Sequence, residues 1–282
     1  MKELWLEDAN QNKVNIDDGI KYMILEVSGL NPPSASLFTS KSPNRKGSKY
    51  NGSTLDERNI VVTIKILGDV EVNRNALYQW IDTEQYIKIL YRNDVKNVYC
   101  EGHVVDCEID MFSSNEIIKL AITCENPYWK DLQEINKEIT SVLKQFTFPF
   151  AISEPIPFSS LLSSNTTSIF NSGAETGLKI TIKCLEDVNK LVVYNPNNTS
   201  ERFELNTTLL KDWVVVIDTD NSPKTVKAYK PDGSVENLLK YTNNNITWFM
   251  LKKGINWLGY TSDTDLSNLE IRVSFVNKYL GV

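Results

Sequence analysis

The chain has a single histidine, His103. It sits between two cysteines in the run Cys100-Glu101-Gly102-His103-Val104-Val105-Asp106-Cys107. Thiolates and an imidazole at close spacing are the raw material of a zinc site, which needs its ligands to converge as a tetrahedron. On an extended strand side chains alternate, so Cys100 points away from His103 and Cys107. Gly102 could bulge the strand, but no fourth ligand is evident, and the run is predicted to be plain strand without metal. With one histidine, a Ser-His-Asp triad or a histidine general base would have to use that residue alone. Asp106, Glu108 and Asp110 share one face of the same run, with Asp82, Asp94 and Glu116 in the same half. Paired carboxylates hydrolyse glycosides when their separation is fixed. Nothing here fixes one, so they read as a solvated face opposite Val105, Cys107 and Ile109. Asp218-Thr219-Asp220-Asn221 and Asp263-Thr264-Asp265 resemble fragments of calcium loops but lack the glycine and closing glutamate, so they read as turns. Trp213, Trp248, Trp257, Tyr229, Tyr241 and Tyr260 could stack sugar rings, although packing at strand positions is the simpler reading. No glycine-rich phosphate loop or nucleophile elbow is present. No catalytic, cofactor or metal residue is assigned, and no enzyme is expected.

The chain has 282 residues, which at roughly 100–200 per domain implies about two domains. Lys and Arg number 30 against 36 Asp and Glu, a net charge of −6. That balance excludes the basic surface of a protein that grips nucleic acid through phosphates. Aromatic residues make up 10% of the chain, with 12 Tyr and 6 Trp, and tilt the expectation toward strands. The N-terminus acquires acidic residues at once and lacks the apolar core of a secretory signal. No run approaches the ~20 apolar residues that span a bilayer. A soluble chain made in a cytoplasm is expected, with Cys100, Cys107, Cys124 and Cys184 as buried thiols.

Lys2–Leu6 and Lys13–Ile16 flank turn residues and predict an opening hairpin. Lys21–Val27 and Asn59–Leu67 read as strands, the second with Ile60, Val62, Ile64 and Ile66 on one face. Asn31–Thr54 holds Pro32, Pro33, Pro43, Gly47 and Gly52 among polar residues and reads as a long loop, of the kind that carries contacts. Asn73–Asp82 predicts a helix with Asn73 as N-cap. Tyr86–Arg92, Val98–Ile109 and Glu116–Cys124 predict three more strands. Leu132, Ile135, Ile139 and Val142 recur at helical spacing, weakened by Thr140 and Ser141. Phe146–Phe158 contains three prolines and reads as an extended connector. Beyond it, strands are expected at Lys179–Cys184, Lys190–Tyr194, Glu201–Leu205, Trp213–Asp218, Val226–Tyr229, Thr247–Leu251, Asn256–Tyr260 and Glu270–Val276. Short strands at this spacing imply a β-sandwich or jelly roll. The expected organisation is a β-domain with one helix over 1–145, a connector over 146–160 and a β-sandwich over 161–282.

Several pieces, in order, resemble the distal tail protein family of tailed phages. They are Gly29-Leu30-Asn31-Pro32-Pro33, Glu57-Arg58-Asn59-Ile60-Val61-Val62, Cys124-Glu125-Asn126-Pro127-Tyr128-Trp129 and Phe148-Pro149-Phe150. Asn171-Ser172-Gly173-Ala174-Glu175-Thr176-Gly177, Val216-Ile217-Asp218-Thr219, Leu251-Lys252-Lys253-Gly254-Ile255-Asn256 and the closing Tyr279-Leu280-Gly281-Val282 complete the series. The resemblance implies a hexameric ring in the tail of a phage or tail-like particle. The N-terminal domain would form the ring and the second domain would be a galectin-like sandwich outside it. Expected partners are other copies of the chain, the tail tube protein, the tail-tip hub and receptor-binding or baseplate proteins, with no specific nucleic acid and no membrane. The second half lacks histidine, so the galectin sugar-binding pattern is absent. An adhesive carbohydrate-binding module is the alternative function. Within Asn31–Thr54, Leu37 and Phe38 are the expected apolar anchors of an inter-subunit contact. Lys41, Arg45, Lys46 and Lys49 supply its positive charge.

Overall fold

The structure is a computed structural model. It describes all residues except 1, 44–45, 82–85, 112–115, 140–141, 145–158, 162–164 and 244–245, and only the backbone of 142–144, 159–161 and Thr199. Strands β1 (Glu3–Glu7), β2 (Lys13–Asn15), β3 (Tyr22–Ser28), β4 (Ala35–Ser40), β5 (Lys49–Leu55) and β6 (Arg58–Ile66) precede the helix α1 (Val70–Tyr78). After it come β7 (Tyr86–Arg92), β8 (Asn97–Ile109), β9 (Ile117–Cys124), β10 (Trp129–Asp131), β11 (Ile135–Ile139), β12 (Val142–Lys144) and β13 (Ser159–Leu161). The chain continues through β14 (Thr166–Asn171), β15 (Lys179–Cys184), β16 (Val188–Asn195), β17 (Asn198–Leu209), β18 (Val214–Asp218) and β19 (Thr225–Tyr229). It closes with β20 (Val235–Asn237), β21 (Gly254–Ser262), β22 (Leu269–Phe275) and β23 (Lys278–Tyr279). The protein is mainly β, with a single α-helix among the described residues.

The chain divides into two compact units, Met1–Leu132 with Lys278–Val282, and Gln133–Asn277. In the first, the order β2-β1-β7-β8-β9-β6-β3 runs across one antiparallel sheet, with β10 pairing β8 and β23. Alternation builds this sheet. Ile60, Val62, Ile64 and Ile66 of β6 turn inward onto Ile118, Leu120 and Ile122 of β9 and Leu77 of α1. Such a row, buried at every second position, is the largest stabilising contribution a strand can make. A bulge between Val104 and Asp106 shifts the alternation of β8, so Val105 is exposed rather than inward as expected.

The helix starts earlier than its apolar spacing suggested. Asp69 is the N-cap and accepts from Val72 N at 3.3 Å. Asn73, the expected cap, lies inside the helix and is buried; its amide donates to Leu67 O at 2.7 Å. Its role is to hold the helix onto the end of β6, a contact that no local spacing reveals.

The second unit is a sandwich. The six-stranded sheet β11-β22-β15-β18-β19-β20 faces the four-stranded sheet β14-β21-β16-β17. Between them pack Ile180, Ile182, Val215, Ile217 and Val273 from one side, and Leu191, Val193, Phe203 and Leu205 from the other. The strands β12 and β13 pair separately. Two elements differ from the sequence expectation. The helical spacing from Leu132 onward belongs to strand β11, whose Ile139 is buried opposite Ile271 of β22, so tertiary pairing overrides the local period. Thr247–Leu251 forms no strand; Leu251 makes an isolated bridge to Thr176 while Phe249 and Leu251 fill the core. Of the expected connector, 145–158 lies outside the described residues.

Candidate functional site

The predicted chemical clusters come apart in three dimensions. Cys100 is buried, whereas His103 faces outward and its Nδ1 lies 2.8 Å from Glu125 Oε1. Among the described residues no three His, Cys, Asp or Glu side chains converge on a point. Cys100 instead shares a hydrogen bond with Cys124, which holds the Cys100 thiol below its usual range and pushes Cys124 up. Both are fully buried beneath the sheet, so neither meets a substrate.

Asp106, Glu108 and Asp110 are exposed, Glu116 pairs with Arg74 at 2.8 Å, and Asp82 lies outside the described residues. Asp218 accepts from the backbone N–H of Asp220 and Asn221 at 3.0 and 3.2 Å, and Asp265 accepts from Ser267 N at 2.9 Å. These acids are therefore spent on turns. Of the six aromatic residues, Tyr260 is core and Trp213, Tyr241 and Trp248 pack partly buried against it, while Tyr229 and Trp257 stay exposed.

The predicted contact segment is an arm. Residues expected to be loop form the hairpin β4–β5, paired from Ala35↔Leu55 to Ser40↔Lys49 and forming a two-stranded sheet of its own. The prolines that argued for a loop, Pro32, Pro33 and Pro43, lie outside both strands, which leaves Ser36–Thr39 and Tyr50–Thr54 free to pair. Every residue of β4 is exposed, Leu37 at 65% and Phe38 at 53%, and Tyr50 of β5 is 60% exposed. Leu37 and Phe38 are consecutive on a strand, so they present apolar surface on opposite faces of the arm. Lys41, Lys46 and Lys49 are exposed around its tip; Arg45 lies outside the described residues. A two-stranded hairpin without a packed face has little stability of its own.

The arm is anchored at its base. Ser36 Oγ donates to Asp56 Oδ1 at 2.8 Å, and Asp56 N to Ser34 O at 3.0 Å. Two residues on is Arg58, only 2% exposed, whose guanidinium has no carboxylate partner among the described residues. It donates to four backbone carbonyls: Gly29, Asn31 at 2.7 Å, Pro127 at 2.8 Å and Leu280 at 2.6 Å. It also lies over the Trp129 ring, 5.4 Å from the centroid. Burial lowers its pKa, yet a guanidinium remains charged. Gly29 makes this approach possible. Its φ is +86°, and a Cβ there would lie 2.1 Å from Asn59 O.

One cation thus ties together the strand leading to the arm, the turn before β10 and the C-terminal tail. The tail is held further by Lys96 Nζ to Gly281 O at 2.8 Å and Tyr279 Oη to Asp131 Oδ2 at 3.0 Å. The Arg58 knot escaped the sequence reading because all its acceptors are main-chain atoms. The one available signal was a lone arginine preceding an otherwise apolar inward face.

This arrangement, an antiparallel sheet with one helix and a protruding hairpin followed by a β-sandwich, defines a class. Residues 13–126 match the phage tail protein RIFT-related domain family. The whole chain has the fold of the Dit protein of phage SPP1, described as a paradigm of the hub adsorption apparatus in phages infecting Gram-positive bacteria. The TM-score is 0.69 at 12% identity, covering 98% of this chain and 99% of that one. A chain of the phage P2 baseplate in its activated conformation with calcium matches with a TM-score of 0.52 at 13% identity, covering 100% of both. No curated protein matches the chain. Residues 13–126 thus match a phage tail domain family, and the chain as a whole shares its fold with these phage tail and baseplate proteins. Among the described residues no helix is long and apolar enough to cross a membrane.

Proposed function

We propose that this chain is a distal tail protein whose first unit assembles into a hexameric ring. The ring joins the tail tube to the tail-tip hub, and the second unit anchors receptor-binding or baseplate proteins. No catalytic step is involved, and the protein resides in the tail of a virion or tail-like particle. The observation that carries this reading is the β4–β5 arm. Apolar side chains on both faces of a solvated hairpin are stable against aggregation only when a neighbour covers them. In a head-to-tail assembly each copy donates one arm and receives one, which closes a ring. The lysines of the arm complement an acidic chain, so the contact has a salt-sensitive component. The acidic balance also suits a conduit through which DNA slides without sticking.

The test is deletion of Ser36–Ser48 from the full chain. The monomer fold is expected to survive, because every described residue in the deletion is exposed. Ring mass by light scattering should fall toward the monomer, at low salt as well as high. An unchanged oligomer at both salt concentrations would exclude the arm as the ring contact.

A further inference from the structure

In the second unit a cavity of about 320 Å³ opens beside Trp257. Its floor is core: Phe249, Leu251 and Leu258. One wall is the β16–β17 turn, where Asn195 and Asn198 both donate to the Glu201 carboxylate at 2.8 and 2.9 Å and fix it in place. The other wall is the Lys252-Lys253-Gly254 turn. Asn256 clamps it, accepting from Lys252 N at 2.9 Å and donating to Lys252 O at 2.7 Å. Lys252 and Lys253 are exposed and form no ion pair among the described residues. The Trp257 indole, 40% exposed, stands on the outer face of the four-stranded sheet at the mouth.

Each part has a recognisable use. An aromatic face held at a cavity mouth offers a platform to the C–H face of a pyranose ring, an amphipathic surface that matches it. Amide and carboxylate groups fixed by neighbouring side chains bind hydroxyls at little ordering cost, because their rotamers are already set. Two unpaired ammonium groups on a chain of net charge −6 are a local departure that favours an anion. The volume is near the lower end of ligand pockets, at roughly 300 Å³, and suits one or two sugar rings rather than a protein loop. We infer that this cavity binds an acidic saccharide, with the ring on Trp257, hydroxyls toward the Asn195–Glu201 wall and the negative group on Lys252 and Lys253. The groups differ from the histidine-containing galectin pattern, which the chain lacks. The inference is independent of ring formation, since every residue it uses lies in the second unit.

The full chain would be applied to an array of glycans bearing uronic acid, sialic acid or phosphorylated hexose, each with its neutral counterpart, and hits measured by calorimetry. At least one acidic glycan should bind, and its neutral counterpart should bind on the order of tenfold more weakly. The double substitution Lys252→Ala with Lys253→Ala, on exposed side chains that leave the fold intact, should cost a similar factor, about 0.5–1 kcal/mol per lysine. Trp257→Ala should abolish binding, with the melting transition checking the fold. Three results would each overturn the proposal: no acidic glycan retained, neutral and acidic forms bound equally, or a poly-glutamate peptide bound in preference to every glycan. The last would make the cavity a protein-docking site.

Discussion

Replacing Arg58 by methionine keeps most of the buried volume and removes every donor of the knot. Four carbonyls then lose their partner. Those of Gly29 and Asn31 adjoin a cavity of about 320 Å³ and can be rehydrated. The carbonyls of Pro127 and Leu280 do not line it. Two buried acceptors left without donors cost about 1–3 kcal/mol each, and loss of the stack on Trp129 adds about 1 kcal/mol. Removing a desolvated charge returns part of that sum. The net expectation is a loss of about 3–5 kcal/mol, at the upper end for single substitutions. Lysine at the same place should recover only part, since an ammonium is a compact donor that cannot span four carbonyls. The measurement is hydrogen exchange on the full chain, read peptide by peptide. Protection should fall first at Lys278–Val282, where the tail loses its bond at Leu280, and at Gly29–Asn31. A loss below about 1 kcal/mol with an unchanged tail would refute the account, and would mean that these carbonyls are satisfied without the guanidinium.

Gly29→Ala should be nearly as damaging, about 2–4 kcal/mol by urea unfolding, since it forces a side chain to φ +86° and into Asn59 O; a neutral result would mean that the turn can relax. Asp69→Ala should cost about 1 kcal/mol through the loss of the α1 cap, while Asn73→Asp should not improve the helix if Asn73 is not the cap. Glu236 is paired with both Lys230 at 2.9 Å and Lys240 at 3.0 Å, which lower its pKa from 4.5 to about 2. A lowered carboxylate stabilises the fold above its unfolded value and loses that contribution as pH falls through the folded one. Wild type should therefore melt above Glu236→Gln at pH 6, and the gap should close between pH 4.5 and 2; a gap that is constant with pH would contradict the pairing. A chain cut after Lys144 lacks Leu280 and Tyr279, so its first unit should be less stable than in the full chain; adding the peptide Asn277–Val282 in trans should raise its melting temperature, and no shift would argue against tail docking.

The strand content was legible in sequence because it rests on local chemistry. The period-2 run Ile60–Ile66 determines a strand with one buried face wherever it is placed, and Asp218 or Asp232 makes a turn with its own neighbours. Everything set by distant pairing was decided only in the tertiary structure. The stretch Asn31–Thr54 has the composition of a loop, and only cross-strand hydrogen bonding between segments separated by a turn makes it an arm. The helical spacing after Leu132 gives way because β22 offers an edge to pair with. The last five residues look like the end of the sandwich, yet they return to the first unit because Arg58, Lys96 and Trp129 hold them there. Arg58 itself illustrates the limit. Its acceptors are carbonyls, which every residue carries, so no side-chain pattern announces them, and only folding brings four of them around one guanidinium.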